Sequence, residues 1–125
     1  MRSNTTTLHH VSLIVSDSDK SLEFYCGILG LETAERPALD FPGAWLKVGD
    51  QQIHLLELPN PDSTDNRSQH GGRDRHTAFS VQDLNMVRQR LDEAGIEYTM
   101  SRSGREALFC RDPDANAIEL IGGGF

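Results

Sequence analysis

The sequence predicts an α+β domain built from two βαβββ modules. The main observation is an internal repeat: the segments His10–Val15 and His76–Val81 both begin with histidine, are rich in strand-forming residues and lie 66 residues apart. Each segment is followed by a helical stripe and a hairpin pattern in the same order, and a polar stretch, residues 59–73, separates the two copies. A chain of 125 residues with 37% hydrophobic and 25% charged residues is large enough for one compact domain.

Each module continues with one predicted helix. Asp17 or Asp19 can cap the first helix and Asp83 the second, because a carboxylate there accepts hydrogen bonds from free backbone amides. Apolar residues then recur at helical spacing, as Leu22, Tyr25, Cys26 and Leu29 in one module and Leu84, Val87, Leu91 and Ala94 in the other. Gly30 and Gly95 mark the predicted helix ends.

The remaining strands are predicted from one hairpin in each module. Residues 44–48 turn through 49–50 into 52–56, and residues 107–110 turn through 111–116 into 117–121. The modules therefore span residues 8–58 and 74–121, and the linker 59–73 is expected to be solvated and to hold no buried structure. A module of about 60 residues is too small to cover its own sheet and helix, so we expect a shared core, formed within one chain or between two.

Composition and charge exclude several classes of partner. A net charge of −7 without a basic cluster disfavours nucleic acid and anionic membranes. No apolar run is long enough to span a bilayer and the N-terminus lacks a signal-peptide pattern, so we expect a cytoplasmic protein. Cys26 and Cys110 lie far apart with no Cys-x-x-Cys motif, and we expect both to be reduced thiols packed inside.

The repeat also predicts a metal site. His10 and His76 open equivalent strands, and His54 and Glu119 occupy equivalent last strands, 65 residues apart. A pseudo-twofold axis relating the modules would bring all four side chains to one place, and imidazoles with a carboxylate suit a divalent transition ion. Alternation along the strands places the aliphatic neighbours of His54 and Glu119 on the opposite, helix-covered face. The alternative for Glu119 is a solvated position on the outer face of its strand.

Other polar and aromatic residues are assigned smaller parts. His9 is expected to face the other side of its strand and to be structural, and His70 to be solvated in the linker, with a proton-shuttling role as the alternative. Arg102 and Arg105 are expected to be solvated in a turn, although they could bind a substrate carboxylate. Trp45 and Phe109 occupy matching hairpin strands, where they either belong to the core or line a pocket.

The motifs resemble the vicinal oxygen chelate superfamily, which includes glyoxalase I, fosfomycin-resistance enzymes, methylmalonyl-CoA epimerase, extradiol dioxygenases and bleomycin-binding proteins. The resemblance runs from Leu8 to Ile121 and is carried by the segments 10–17, 21–25, 29–31, 112–114 and 118–120 and by the strand opening at His76. It implies an eight-stranded cup-like mixed sheet holding one metal, with His10, His54, His76 and Glu119 as ligands. It also implies a homodimer. In this superfamily, glyoxalase I and the epimerase hold the metal with four protein ligands. The fosfomycin-resistance enzymes and extradiol dioxygenases hold it with three. This chain resembles the four-ligand members but differs from them at one ligand position, where it has His54 and they usually carry Glu or Gln.

The function that this resemblance implies is a glyoxalase I-like lyase or isomerase. A divalent ion, Zn²⁺ or Ni²⁺ first and Fe²⁺ or Mn²⁺ next, would polarise adjacent substrate oxygens while a base moves a proton next to a carbonyl. Glu119 is the expected base and His54 a second one, on a small α-oxygenated or hemithioacetal substrate, with glutathione as an optional co-substrate. The alternatives are a drug-binding resistance protein of the bleomycin-binding type and a dioxygenase.

Overall fold

The computed structural model describes residues 3–123 and confirms an α+β fold of two βαβββ modules. The first module contains β1 (His10–Val15), β2 (Glu32–Ala34), β3 (Gly43–Val48) and β4 (Gln51–Glu57). These strands form a mixed sheet in the order β1-β4-β3-β2, with β1 parallel to β4 and the other pairs antiparallel. The register places His10 beside Gln52, and Trp45 opposite His54.

The second module repeats this topology. It contains β5 (His76–Ser80), β6 (Tyr98–Met100), β7 (Ala107–Arg111) and β8 (Ala117–Ile121), in the order β5-β8-β7-β6. Phe109 lies opposite Glu119, as Trp45 lies opposite His54 in the first module. Within one chain the eight strands therefore form two four-stranded sheets whose outer strands are β1, β2, β5 and β6.

The first helix differs from the regular α-helix that the apolar spacing predicts. It begins as α1 (Ser18–Leu22), capped by Asp17, and continues as a π-helix over Glu23–Ile28. The wider turn lets the amide of Leu29 bond the carbonyl of Phe24, and two adjacent rings, Phe24 and Tyr25, are both buried. The rings of Phe24 and Tyr25 thus both lie in the core, within the π-helical segment.

The second helix follows the prediction more closely. Asp83 caps α2 (Leu84–Glu93) by accepting a hydrogen bond from the amide of Met86. Leu84, Val87 and Leu91 are buried against the sheet, whereas Ala94 is the exposed C-cap and lies outside the buried stripe. Gly95 then adopts a φ of +70°, the left-handed conformation that ends many helices.

The two modules contact each other within the chain through the β7–β8 turn. The hydroxyl of Tyr25 donates to Asp112, the amide of Ser16 donates to Asp114, and the side-chain amide of Asn116 donates to the carbonyl of Ile14. Hydrophobic residues of both modules contribute to one core cluster. The shared core that module size predicts is therefore present in a single chain.

The linker is more ordered than its composition predicts, and the expectation of a solvated His70 is wrong. A 3₁₀-helix spans Gly71–Arg73, and His70 is buried, with its Nδ1 2.7 Å from the hydroxyl oxygen of Thr99. Close approach explains the neighbouring glycine, because a Cβ on Gly71 would lie 3.3 Å from the Cβ of Phe109. The linker folds because module two supplies hydrogen-bond partners and an aromatic surface that local sequence does not reveal.

Both cysteines are free thiols, as expected. Cys110 is buried and Cys26 is half-buried. Over residues 3–123, no helix is long and apolar enough to cross a membrane.

Candidate metal and catalytic site

The four predicted ligands form two pairs, one in each module. Strand pairing brings His10 and His54 together in the first module, with ring centroids 4.0 Å apart. It brings His76 and Glu119 together in the second, where His76 Nε2 lies 3.3 Å from Glu119 Oε1. Within residues 3–123 of one chain, no three His, Cys, Asp or Glu side chains converge as a metal site would require.

The second pair has the geometry of two ligands of one ion. Donor atoms about 2.0–2.2 Å from an ion and roughly 100° apart are separated by about 3.2 Å, close to the distance between His76 and Glu119. His76 Nδ1 lies 2.9 Å from the backbone oxygen of Asp74, and because a carbonyl only accepts, this nitrogen carries the proton. The lone pair of His76 is therefore on Nε2, the nitrogen that faces Glu119.

Glu119 is only 3% exposed, which excludes the solvated alternative. Its second oxygen accepts a hydrogen bond of 2.9 Å from Arg105, which lies in the β6–β7 loop. Arg102 and Arg105 are both exposed, as expected, but Arg105, whose side chain is 40% exposed, also pairs with Glu119, which the sequence did not predict. The loop folds back over β8, and spacing within the loop did not reveal this.

The first pair is arranged differently. The ring of His54 is 7% exposed and is stacked between His10 and the half-buried Trp45, whose ring centroid lies 3.9 Å away. Its Nε2 is 2.7 Å from Gln52 Oε1. Burial, and then the nearby His10 and His9, lower the pKa of His54, so its ring is neutral at neutral pH. Trp45 therefore covers the face of the His54 ring that is opposite His10.

His9 also takes part, contrary to the expectation that it faces away. The strand begins at His10, so alternation does not extend to residue 9, and the two Nδ1 atoms lie 2.8 Å apart. In the tautomer where His10 donates to His9, the lone pair of His10 is on Nε2 and is available to a metal. In that tautomer His9 holds His10 as the Asp74 carbonyl holds His76.

Two further groups support the second pair: Phe109, which the sequence assigned to the core or to a pocket, and Asp74, which the sequence did not single out. Phe109 is buried and meets the ring of His76 edge-on, with centroids 5.2 Å apart. Asp74 receives hydrogen bonds from Arg67 and Arg111, and the pair with Arg67 above all lowers the pKa of Asp74 to about 2. This ionised anchor holds the chain next to His76. Arg111 lies 37 residues from Asp74 in the sequence, so only the three-dimensional fold reveals that the two residues pair.

The second module carries a cleft of about 1030 Å³. It is lined by the linker, the α2–β6 connection and β7, and none of the four predicted ligands lines it. The chemistry-bearing side chains instead lie on β1, β4, β5 and β8.

Comparison with known proteins identifies the family. The model of the Glyoxalase/Bleomycin resistance protein/Dioxygenase superfamily matches residues 7–120, so the chain belongs to this superfamily. It is 35% identical over 121 residues to Glyoxylase I 4 of Arabidopsis thaliana, covering 92% of this chain and 70% of the relative. It is 31% identical over 122 residues to the glutathione transferase FosA of Serratia marcescens, covering 91% of this chain and 79% of the relative.

A solved structure shares the fold. FosX, a fosfomycin resistance protein of Listeria monocytogenes crystallised with Mn(II) and 1S,2S-dihydroxypropylphosphonic acid, superposes with a TM-score of 0.76. The match covers 97% of this chain and 95% of FosX at 22% identity. Relatives of this chain thus include proteins named glyoxylase I, lactoylglutathione lyase and glutathione transferase, which are names of enzymes.

Proposed function

We propose that this protein is a metal-dependent lyase or isomerase of the glyoxalase I type, acting on a small α-oxygenated or hemithioacetal substrate. The observation that carries the proposal is the pair of His76 and the buried Glu119: His76 Nε2 lies 3.3 Å from Glu119 Oε1, and the Asp74 carbonyl holds Nδ1 of the same ring, which leaves Nε2 for a metal. The similarity to Glyoxylase I 4 supports the reaction class.

The residues present suit a divalent transition ion. His10, His76 and Glu119 supply two imidazoles and a carboxylate, a set that accommodates Zn²⁺, Ni²⁺, Fe²⁺ or Mn²⁺. Such an ion, when bound, supplies Lewis acidity to adjacent substrate oxygens. Glu119 is the proposed base: its buried carboxylate would accept a proton from the carbon next to a substrate carbonyl and return it to the neighbouring carbon. Arg105 holds the other carboxylate oxygen and so orients Glu119.

A second copy of the chain would complete the site. β1 and β5 are both edge strands, and they begin with His10 and His76. An edge strand presents unpaired backbone groups that can pair with another chain. Docking β1 of one copy beside β5 of another would place His10 next to the pair His76 and Glu119, which a single chain does not do.

The test of the activity is an assay of methylglyoxal, with and without glutathione, using protein loaded with each of the four ions. We expect turnover with at least one ion, and a loss of about 100-fold or more in kcat for Glu119→Gln. Glu93→Gln, an exposed helix carboxylate, is the matched control and should behave as the unmodified protein. Absence of both metal binding and turnover would overturn the proposal.

The test of the shared site is complementation between two inactive variants. His10→Ala and Glu119→Gln should each be inactive alone. In a mixed dimer, one of the two sites regains both native residues if the ligands come from different chains, so mixing should restore up to about a quarter of the activity per total protein. No recovery in verified mixed dimers would show that each chain builds its own site.

A second candidate is the opening of an epoxide that carries a phosphonate. It is favoured by the 31% identity to the glutathione transferase FosA. Consumption of fosfomycin in the presence of glutathione or of water alone, followed by phosphorus NMR, tests it. Turnover of fosfomycin without turnover of methylglyoxal would replace the first proposal by this one.

A further inference from the structure

Three rings form a continuous stack across three strands of the first module. The planes of Trp45 and His54 differ by 3°, with centroids 3.9 Å apart, and those of His54 and His10 differ by 18°, with centroids 4.0 Å apart. The order of the strands produces the order of the rings, because β4, which carries His54, lies between β3 and β1 in the sheet. We call Trp45, His54 and His10 the ring stack.

The ring stack prevents His10 and His54 from binding the same ion. An imidazole nitrogen binds a metal through a lone pair that lies in the plane of the ring. When two rings lie face to face, an ion in the plane of His10 lies above the face of His54 and not at its edge. The symmetry argument from sequence places both residues near one point but does not constrain the orientation of their rings.

Gln52 removes the remaining freedom of His54. Its side-chain oxygen lies 2.7 Å from His54 Nε2, and because a carboxamide oxygen only accepts, this nitrogen carries the proton. Nε2 of His54 therefore has no lone pair to offer, and the lone pair that remains, on Nδ1, lies in the plane of a ring stacked face to face on His10. The contrast with His76 is direct, since His76 donates through Nδ1 and keeps Nε2 free.

We propose that His54 is a positioning residue and not a metal ligand: its ring, backed by Trp45 and fixed by Gln52, is the platform that orients His10. This inference rests on the proposed function, since it concerns how the metal is held. The ligands are then His10, His76 and Glu119. A ring held flat by stacking loses little rotational freedom when its nitrogen binds a metal, so the platform raises the affinity of His10.

The experiment compares the affinity for Zn²⁺ of four proteins by competition with a chromophoric chelator: the unmodified chain, His10→Ala, His54→Phe and His54→Ala. Phenylalanine keeps a flat ring in the stack but has no nitrogen, so we expect its affinity to stay within about 3-fold of the unmodified chain. Alanine removes the platform and should weaken binding about 10-fold, within the range found for groups that orient ligands. His10→Ala should weaken binding by about 100-fold or more.

Two further readouts separate positioning from ligation and from loss of structure. The visible absorption spectrum of bound Co²⁺ should be unchanged in His54→Phe, because the ligand set is the same. Trp45 is the sole tryptophan, so its fluorescence reports in each variant whether the stack and the fold remain. A variant that no longer folds is replaced by His54→Tyr, which also keeps a ring.

Each outcome decides the matter. Loss of affinity in His54→Phe equal to that in His10→Ala would show that His54 is a ligand, and would leave the proposed function standing. Full affinity in His54→Ala would show that the platform does not position His10. Failure of the unmodified chain to bind any of the ions would overturn the proposed function, and this inference with it.

Discussion

The hydroxyl of Tyr25 donates a 2.7 Å hydrogen bond to Asp112 Oδ2 at the contact between the two modules. Asp112 also accepts hydrogen bonds from the amides of Asp114 and Asn116 and from the side-chain amide of Asn116. Four donors thus satisfy one buried carboxylate. This arrangement closes the β7–β8 turn and attaches it to the first helix, so the positions of β1 and β8 relative to each other depend on it.

Removing this hydroxyl should destabilise the protein in a pH-dependent way. Tyr25→Phe leaves Asp112 buried with one donor fewer, which costs about 1–3 kcal/mol of unfolding free energy. Burial already raises the pKa of Asp112, against the hydrogen bonds that lower it, first among them that of Tyr25. A raised folded-state pKa means that the ionised form is the costly one. The penalty should therefore be largest at neutral pH and shrink as the pH falls through that pKa.

Urea unfolding of Tyr25→Phe across pH measures this effect. Tyr98→Phe is the matched control, because the hydroxyl of Tyr98 makes longer contacts of 3.4 and 3.5 Å at a half-buried position. The control should change the urea midpoint little. Equal effects for the two substitutions at neutral pH would contradict the role of the Tyr25–Asp112 bond.

Ala115 is a site where glycine should stabilise the protein. Its φ of +66° lies in the left-handed region, where the Cβ of alanine crowds the following carbonyl. Ala115→Gly relieves this crowding, and after the entropy cost of glycine in the unfolded chain we expect a net gain of about 0.5–1 kcal/mol. Ala94→Gly is the control of opposite sign, because Ala94 has an ordinary φ of −83°. Thermal unfolding of both variants decides: a lower melting temperature for Ala115→Gly would contradict the argument.

Asp74 should make the protein sensitive to acid. Its pKa of about 2 lies below the ordinary value of 3.8, so the folded state binds fewer protons than the unfolded state between these values. Its contribution is fully present above about pH 4 and is lost as the pH falls toward about 2. With allowance for solvent screening, we expect about 1–2 kcal/mol.

Asp74→Asn should lower stability at neutral pH and flatten its dependence on pH below 4. The measurement is the urea midpoint between pH 2 and 7. Asp62→Asn is the control, because Asp62 pairs with Arg75 at the surface, where both side chains are more than half exposed. If Asp62→Asn loses as much stability as Asp74→Asn, the loss comes from the change in surface charge and not from the hydrogen bonds of Asp74.

Arg105 should oppose metal binding while it orients the base. Its guanidinium pairs with a carboxylate that is a proposed ligand, and a positive charge so close disfavours a divalent ion. Arg105→Ala should therefore raise metal affinity by roughly 5-fold, equivalent to about 1 kcal/mol, and should lower kcat because Glu119 loses its second support. Arg102→Ala, in the same loop, is the control for both measurements. Weaker metal binding in Arg105→Ala would show that Arg105 supports the ligand and does not compete with the ion.

The pattern of residues was sufficient to predict the repeat, the order of strands and helices, and the strands that carry His10, His54, His76 and Glu119. These features follow from local rules, since periodicity and turn residues act over a few positions along the chain. The same rules failed at the first helix, where packing of Phe24 and Tyr25 favoured a π-turn, and in the linker, where module two buries His70.

Ring orientation and long-range partners depended on the folded chain. Stacking of His54 on His10 and the contact of Arg105 with Glu119 are set by which strands and loops lie side by side. A one-dimensional pattern states which residues share a face, but it carries no information about the direction of a lone pair. Lone-pair directions follow from the side-chain conformations that packing selects. Ring stacking between strands requires contacts between segments far apart in sequence, and those contacts exist only after the chain has folded.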